Sequence, residues 1–176
     1  MKILSPVKKR IVLVHPRGFN WFPGKRDITD IANRMVPQGL LSIAAYLHRE
    51  GHEVFVYDCL GPGVSFDLNK QARAILSYQP QIVGFSATTS SFPDAAELAG
   101  KIKKQAPQIK TVCGGVHASA LEGKLLEDYP DFDYLVAGEG ELTMSEIAGE
   151  ISPADIQGLI WQDGGQIIAN GPRMKI

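Results

Sequence analysis

The segment that most restricts the fold is a short apolar run, Ile82–Phe85, which follows Pro80. Proline cannot continue a helix, and a run that is apolar on both faces is typical of a parallel strand covered by helices on both sides. The run leads into small hydroxyl residues: Ser86, Thr88, Thr89, Ser90 and Ser91. Ser91 and Asp94 have the spacing of a capping box at a helix start. A buried strand therefore ends in a hydroxyl-lined loop before a helix, which is where open parallel α/β sheets bind ligands.

This strand-then-helix pattern repeats about five times along the chain. Further apolar runs predict strands at 11–14, 54–57, 110–113 and 134–137. Apolar residues at helical spacing follow each of the five strands, beginning at Leu40, Leu68, Ala95, Leu121 and Leu142. The alternation predicts an α/β fold with a doubly wound, parallel five-stranded sheet of the flavodoxin-like (Rossmann-like) kind, in the strand order 2-1-3-4-5.

The C-terminal part of the chain has a different pattern. Asp163-Gly164-Gly165 separates two apolar runs, which is a strong β-hairpin signal. We expect this small hairpin either at one edge of the sheet or packed outside it. Residues 170–176 are typical of a linker. The chain is therefore expected to comprise an α/β domain at 1–150 and, at 151–176, the hairpin and the start of the linker.

Charge and cysteine content exclude several classes of function. The 176 residues carry a net charge of −1, with no block of like charges that would suit nucleic acid or a membrane surface. No apolar run approaches the roughly 18 residues of a membrane helix, and no signal-peptide core is present. Two isolated cysteines, Cys59 and Cys113, form neither a disulfide framework nor a cluster site. We expect a cytoplasmic protein without nucleic-acid or membrane partners.

Three predicted strand exits carry residues suited to a ligand. Ser86 to Ser91 offer hydroxyl groups, and Gly114-Gly115 lets a backbone approach a ligand closely. Gly138 to Glu141 is glycine-rich but acidic, so a phosphate-bearing ligand should lie nearer Gly114 and Ser86. Each of these segments also has a purely structural interpretation, as turn geometry or helix capping. Their location at one edge of one sheet favours a binding site.

Common ligand-binding and catalytic motifs are absent. The first strand–helix turn contains no Gly-x-Gly-x-x-Gly, and the chain has neither a P-loop nor a Gly-x-Ser-x-Gly elbow. A phospho-receiver would need an acidic pair after the first strand, where this chain has His15-Pro16. Dinucleotide-binding proteins of the Rossmann type, P-loop proteins, hydrolases and phospho-receivers are therefore disfavoured.

Five segments together resemble a known family. They are 37–47 (PQGLLSIAAYL), 51–54 (GHEV), 84–89 (GFSATT), 114–119 (GGVHAS) and 138–141 (GEGE). In this order they are similar to the N-terminal cobalamin (B12)-binding domain of cobalamin-dependent radical S-adenosylmethionine enzymes, including the anaerobic magnesium-protoporphyrin monomethyl ester cyclase type. The resemblance runs from about Ile11 to the hairpin.

The resemblance implies where the cofactor lies. The nucleotide tail of cobalamin is expected in a crevice between the sheet and its helices, and the corrin ring over the strand ends. Tail contacts are then expected at Ser86, Thr88, Gly114 and Gly115. The implied cofactor-binding residues are His15, Pro16, Arg17, Ser86, Ala87, Thr88, Thr89, Gly114, Gly115, Val116, His117, Gly138, Glu139 and Gly140. No catalytic residue and no protein metal ligand are expected in this chain.

Two motifs of related enzymes are missing. The Asp-x-His-x-x-Gly motif that supplies a lower cobalt ligand is absent, and Arg17 offers no acceptor that could orient His15. We therefore predict base-off cobalamin without a histidine ligand. The Cys-x-x-x-Cys-x-x-Cys triad is also absent, so S-adenosylmethionine and the iron–sulfur cluster are expected only in a missing radical domain of the same parent chain. This fragment alone is not expected to be catalytic, whereas its parent is expected to perform methyl transfer or ring closure.

Two other hypotheses remain open at this point. The chain is either a docking or substrate-recognition module that keeps the fold without a cofactor, or a flavodoxin-like binder of a flavin or nucleotide. In the first case the long aromatic segment Phe19–Val36 is its expected working surface, because long loops in compact domains are usually functional.

Overall fold

Seven strands form one sheet in the computed structural model, which describes residues 8–18 and 36–173. The strands are β1 (Arg10–His15), β2 (Glu53–Asp58), β3 (Ile82–Ser86), β4 (Lys110–Gly114), β5 (Tyr134–Val136), β6 (Leu159–Asp163) and β7 (Gln166–Ala169). The α-helices of the described ranges are α1 (Gln38–Arg49), α2 (Leu68–Ser77), α3 (Phe92–Gln105), α4 (Val116–Leu121), α5 (Lys124–Asp128) and α6 (Glu141–Ala148). A 3₁₀ helix, Pro153–Asp155, precedes β6.

The sheet order is β2-β1-β3-β4-β5-β6-β7. The first five strands are parallel, which confirms the predicted order 2-1-3-4-5. The hairpin β6–β7 pairs antiparallel with β5, so it lies at the edge of the sheet. The sheet therefore has seven strands rather than the five expected, because the hairpin satisfies backbone groups that would otherwise be exposed at the edge of β5.

Each face of the sheet has its own buried core. Successive residues of a strand point to opposite faces, so Val12 and Val14 pack with α2 and α3, whereas Ile11 and Leu13 pack with α1 and α6. The same alternation puts His15, at the end of β1, on the α1–α6 face. In the adjacent strands Gly84 is in register with Leu13, and Ser86 with Gly114. Small and polar groups thus meet at the carboxyl edge of this face.

The start of α3 differs from the prediction. The Ser91 hydroxyl accepts a hydrogen bond from the backbone N–H of Thr88 (3.0 Å) and caps no amide of α3. The Asp94 carboxylate accepts from the backbone N–H of Gly18 (3.1 Å), in the loop after β1. The predicted capping box is therefore wrong: both side chains stabilise loops at the strand ends instead of the first turn of the helix.

Residues 170–173 are bound to the domain. The Asn170 amide donates to the carbonyl oxygens of Pro153 (2.6 Å) and Ile156 (2.7 Å). The Arg173 guanidinium pairs with the Glu146 carboxylate of α6. The first residues of the segment expected as a linker therefore pack against the sheet and α6.

The described part of the chain has neither a membrane-spanning helix nor a cluster of metal-ligating side chains. Within residues 8–18 and 36–173, no helix has both the length and the apolar character needed to cross a membrane. The same described ranges contain no group of three or more His, Cys, Asp or Glu side chains that could hold a metal ion.

Candidate functional site

A crevice lies between the sheet and the two helices α1 and α6, near the carboxyl ends of the central strands. It contains about 650 Å³ of empty space, its open mouth included. Its floor is apolar and comes from strands and α6: Leu13, Gly84, Val112 and Met144. Its upper part combines small and polar residues: Gly39, Ser86, Gly114, Gly115, Gly138, Glu139, Gly140 and Glu141. Clefts with an apolar floor and a few polar groups are typical of ligand binding.

Gly84 lets the side chains of Leu13 and Met144 pack close to β3 at the floor of the crevice. A Cβ atom at this position would lie 3.0 Å from Leu13 Cδ2 and 3.4 Å from Met144 Cε. Any side chain on Gly84 would therefore fill the space between β3 and α6. A glycine in the middle of a buried strand weakens the strand and often marks the close approach of a ligand.

The two helices that form the walls are joined at the mouth of the crevice. The Ser42 hydroxyl of α1 donates a hydrogen bond to the Glu141 carboxylate of α6 (2.6 Å). Gly140 allows this closeness, because a Cβ atom there would lie only 2.7 Å from Ile43 Cδ1. The helices α1 and α6, which are more than 90 residues apart in the sequence, thus approach each other closely at the entrance of the crevice.

A wider basin lies next to the crevice, above the strand ends. The described residues that line it include His15, Pro16 and Arg17, together with Thr88 and Ser91. It contains about 1330 Å³ of space, its opening to solvent included. Three residues line both cavities: Gly39, Leu40 and Ser86. The crevice therefore opens into the basin, so that one ligand can occupy both.

His15 has an orienting partner that the sequence argument missed. A hydrogen bond of 3.1 Å joins His15 Nδ1 and Asp58 Oδ1, and Asp58 also accepts from the backbone N–H of Leu60 (3.0 Å). The expectation that no acceptor orients His15 is wrong, because β1 and β2 end in register and bring the two side chains together. This bond holds Nδ1 toward β2, on the side of β1 opposite β3 and Ser86.

Gly115 is required by the backbone. Its φ angle is +94°, a backbone conformation that residues other than glycine rarely adopt. A Cβ atom there would lie 2.7 Å from the carbonyl oxygen of Ala87. Because the turns after β3 and β4 touch at this point, Gly115 lines the crevice through its backbone.

His117 lies away from both cavities. Its ring stacks on Phe92 with the centroids 4.4 Å apart, and its Nδ1 is 3.2 Å from Thr89 Oγ1. Burial lowers the pKa of His117 below the usual histidine value. Together with Tyr129, these three residues line a separate groove beside α3 and α4.

The predicted site residues fall into three groups. Those at the crevice are Ser86, Gly114, Gly115, Gly138, Glu139 and Gly140. Those at the basin are His15, Pro16, Arg17, Ser86 and Thr88. Neither cavity is lined by Ala87, Thr89, Val116 or His117; Ala87 is buried and Val116 is exposed. Of the long aromatic segment, residues 19–35 lie outside the described residues, and Val36 lines the basin.

Sequence reasoning missed the floor and the helical walls. The missed lining residues are Leu13, Gly39, Leu40, Ile43, Gly84, Phe85, Val112, Val136, Glu141 and Met144. The two-residue period of strands would have found part of the floor, since Leu13 and Gly84 share a face with His15 and Ser86. No local pattern indicates that Gly39 and Met144 face the same space.

Comparison with known proteins agrees with this geometry. A model of the B12-binding domain family matches residues 24–148, which include both helices that wall the crevice. The chain belongs to the B12-binding domain family. The crevice between the sheet and its helices is the feature that the resemblance implied for this domain.

Several curated proteins contain a region that is similar in sequence to this chain. An uncharacterised methyltransferase of Pyrococcus horikoshii is 33% identical over 144 residues, which are 80% of this chain and 31% of that protein. The anaerobic magnesium-protoporphyrin IX monomethyl ester cyclase of Rubrivivax gelatinosus is 30% identical over 136 residues, which are 77% of this chain and 23% of the cyclase. The cytidylyl-2-hydroxyethylphosphonate methyltransferase of Streptomyces wedmorensis is 27% identical over 154 residues, 76% of this chain and 29% of that enzyme. The chain thus spans under a third of the length of these relatives.

Proposed function

We propose that this chain binds cobalamin and serves as the B12-binding domain of a cobalamin-dependent radical S-adenosylmethionine enzyme. The observation that carries the proposal is the crevice with a glycine in its floor, which opens into a basin over the strand ends. The side chains of Leu13, Val112 and Met144 give the crevice an apolar floor, which fits an apolar part of the cofactor.

The two cavities suit different parts of the cofactor. The apolar floor suits the benzimidazole base of the nucleotide tail. Ser86 and the glycine backbone at the upper level suit the ribose and phosphate, because Glu139 and Glu141 repel a phosphate on their side. The basin suits the corrin ring, whose edge would contact His15, Pro16 and Arg17.

This arrangement supports the base-off state of the cofactor. A base held in the crevice would lie beside the sheet face, and a corrin ring in the basin would lie above the strand ends, which fits cobalamin in the base-off state. The absence of a protein nitrogen ligand stays a prediction. It rests on the missing Asp-x-His-x-x-Gly motif. Because Asp58 orients the His15 ring as carboxylates orient ligating histidines, His15 is the residue to test.

Electron paramagnetic resonance of bound cob(II)alamin tests the axial ligand. We expect no nitrogen superhyperfine splitting in the wild-type protein. Splitting that disappears in His15→Ala would identify that histidine as the ligand and contradict the prediction. Asp58→Asn is the matched variant, because it keeps the His15 imidazole and weakens only the hydrogen bond that orients it.

The chemistry of the parent enzyme is inferred from its relatives. Bound cobalamin supplies reactive organometallic chemistry, and this domain would bind it, orient it and shield it from water. We propose that methyl transfer or ring closure takes place with an iron–sulfur domain elsewhere in the parent chain, since the similar proteins include methyltransferases and a cyclase. Both cysteines are free, as in most cytoplasmic proteins, and we propose that location.

Retention of hydroxocobalamin tests the proposed function. The purified chain is incubated with excess hydroxocobalamin or flavin mononucleotide, desalted, and examined by visible spectroscopy. We expect corrinoid absorbance and no flavin absorbance. Ser86→Tyr should reduce retention, because it places a ring where the two cavities meet. Ser152→Tyr, at an exposed position near the amino ends of the strands, is the control.

The same experiment tests the other two functions. A folded chain that retains neither ligand would contradict cobalamin binding and favour a docking or substrate-recognition module. Retention of flavin alone would favour a flavodoxin-like binder.

A further inference from the structure

We infer that the crevice selects among corrinoids by their lower base, and that it prefers dimethylbenzimidazole to a purine such as adenine. The inference rests on the proposed cobalamin function and concerns the chemistry of the floor. It makes this domain a filter for the kind of corrinoid that enters the parent enzyme.

The floor side chains offer no conventional hydrogen-bonding group. Leu13, Gly84 and Val112 lie side by side on β1, β3 and β4, in register. Met144 of α6 packs in the same apolar cluster as Leu13 and Val112, and all four residues are buried and line the crevice. A thioether is at most a weak acceptor, and the other side chains have no polar atom. Among the described residues, the floor therefore contacts a ligand only through carbon and sulfur.

The backbone groups of the floor are already hydrogen-bonded within the sheet. β1, β3 and β4 each lie between two neighbouring strands of the sheet. A strand flanked on both sides uses its amides and carbonyls in the two ladders. The backbone at the floor therefore has no donor or acceptor left for a ligand base.

The polar groups lie at a different depth. Ser86 is two residues beyond Gly84 along β3, which is roughly 7 Å nearer the carboxyl edge. Glu141 lies at the mouth, where it accepts a hydrogen bond from Ser42 (2.6 Å). Ser86 suits the sugar and phosphate of the tail, whereas Glu141 repels the phosphate from its side. Both lie away from the base, which is left with the apolar floor.

The two bases differ in what they bring to such a floor. Dimethylbenzimidazole has two methyl groups on its outer edge, which match apolar side chains. Adenine has an amino group and ring nitrogens on that edge, and each would lose its water without gaining a partner. We expect adeninylcobamide to bind roughly ten- to hundredfold more weakly than cobalamin.

Three corrinoids with the same upper ligand test the inference: cobalamin, adeninylcobamide and cobinamide, which lacks the nucleotide. Each is titrated into the purified chain and followed by absorbance. The expected order of affinity is cobalamin, then adeninylcobamide, with cobinamide weaker than cobalamin. Equal affinity for cobalamin and adeninylcobamide overturns the inference and leaves cobalamin binding intact. Equal affinity for cobalamin and cobinamide also overturns it, because the tail would then lie outside the crevice.

A variant of the floor provides an independent test. Met144→Gln adds an amide to the floor at similar length, so it should improve adeninylcobamide binding relative to cobalamin by severalfold. Met144→Leu, which keeps the floor apolar, should leave the ratio unchanged. An unchanged ratio in a folded Met144→Gln protein overturns the assignment of the base to this floor. If that variant does not fold, the wild-type titrations decide. Binding of no corrinoid at all would contradict the proposed function itself.

Discussion

Replacement of Gly39 by leucine separates ligand binding from stability. Gly39 lies in the first turn of α1 and lines both the crevice and the basin. Among residues 8–18 and 36–173, a Cβ atom at this position would meet no atom within 4 Å outside its own helix and chain neighbours. The leucine side chain therefore extends into the shared opening without a clash in the free protein. The substitution blocks the space that we assign to the cofactor and leaves the core unchanged.

The substitution should leave the stability of the protein unchanged or slightly higher, whereas it should weaken the binding of cobalamin. Leucine is favoured over glycine in a helix by up to about 0.8 kcal/mol, and the gain is smaller in a first turn. The free energy of unfolding should therefore stay constant or rise by a few tenths of a kcal/mol. The leucine takes space from the ligand, and contact surface of that size is worth about 1.5–3 kcal/mol. The dissociation constant for cobalamin should rise roughly ten- to hundredfold.

Absorbance titration with hydroxocobalamin and urea unfolding measure the two quantities on the same sample. Ala45→Leu is the matched control, since it adds a leucine at an exposed position of the same helix outside both cavities. The control should bind like the wild type. Unchanged affinity in a stable Gly39→Leu protein would refute the assignment of the shared opening to the ligand.

Three further predictions concern stability and reactivity. Asp133→Ala should lower the free energy of unfolding by about 2 kcal/mol. The reason is that the Asp133 carboxylate accepts hydrogen bonds from the backbone N–H of Thr111 (2.7 Å) and from the Lys103 ammonium. A change below about 0.5 kcal/mol in urea unfolding would contradict this prediction. Burial raises the pKa of Cys59 and of Cys113 to about 12, so at pH 8 a thiol reagent should label neither in the folded protein and both in urea. Burial lowers the pKa of His52, whose Nδ1 accepts from a backbone N–H (3.2 Å). The unfolded chain then binds the proton more readily, so stability should fall as the pH drops below about 6.5, less steeply in His52→Gln.

Sequence reasoning succeeded for the parallel core of the sheet. Runs such as Ile82–Phe85 are short, apolar and bounded by helix breakers, so their type is determined locally. It failed at the start of α3, where the spacing of Ser91 and Asp94 fits a cap but both side chains bond to loop amides. It also miscounted the strands, because a hairpin signal does not specify whether the hairpin pairs with the sheet.

The candidate site also contains residues that the sequence predicts and residues that only the folded structure reveals. Strand exits such as Ser86 and Gly114 were predictable, because all parallel strands end at one edge of the sheet. The partner of His15 was not predictable from the sequence. Asp58 is 43 residues away and comes next to His15 only because β1 pairs with β2. A similar limit applies to Gly39, whose role as a lining residue depends on the separation of α1 from α6.

The sequence by itself determined the order of strands and helices, the parallel arrangement of the first five strands and the sheet edge at which we propose that the ligand binds. These properties follow from local periods of two and 3.6 residues and from the handedness of strand–helix–strand connections. Only the tertiary structure decided that the hairpin extends the sheet, that Asp58 orients His15, and that Gly39, Gly84 and Met144 enclose one crevice. Those features depend on which side chains meet after distant segments pack, and the contacts between α1, α6 and the sheet are set by the packing of the whole core.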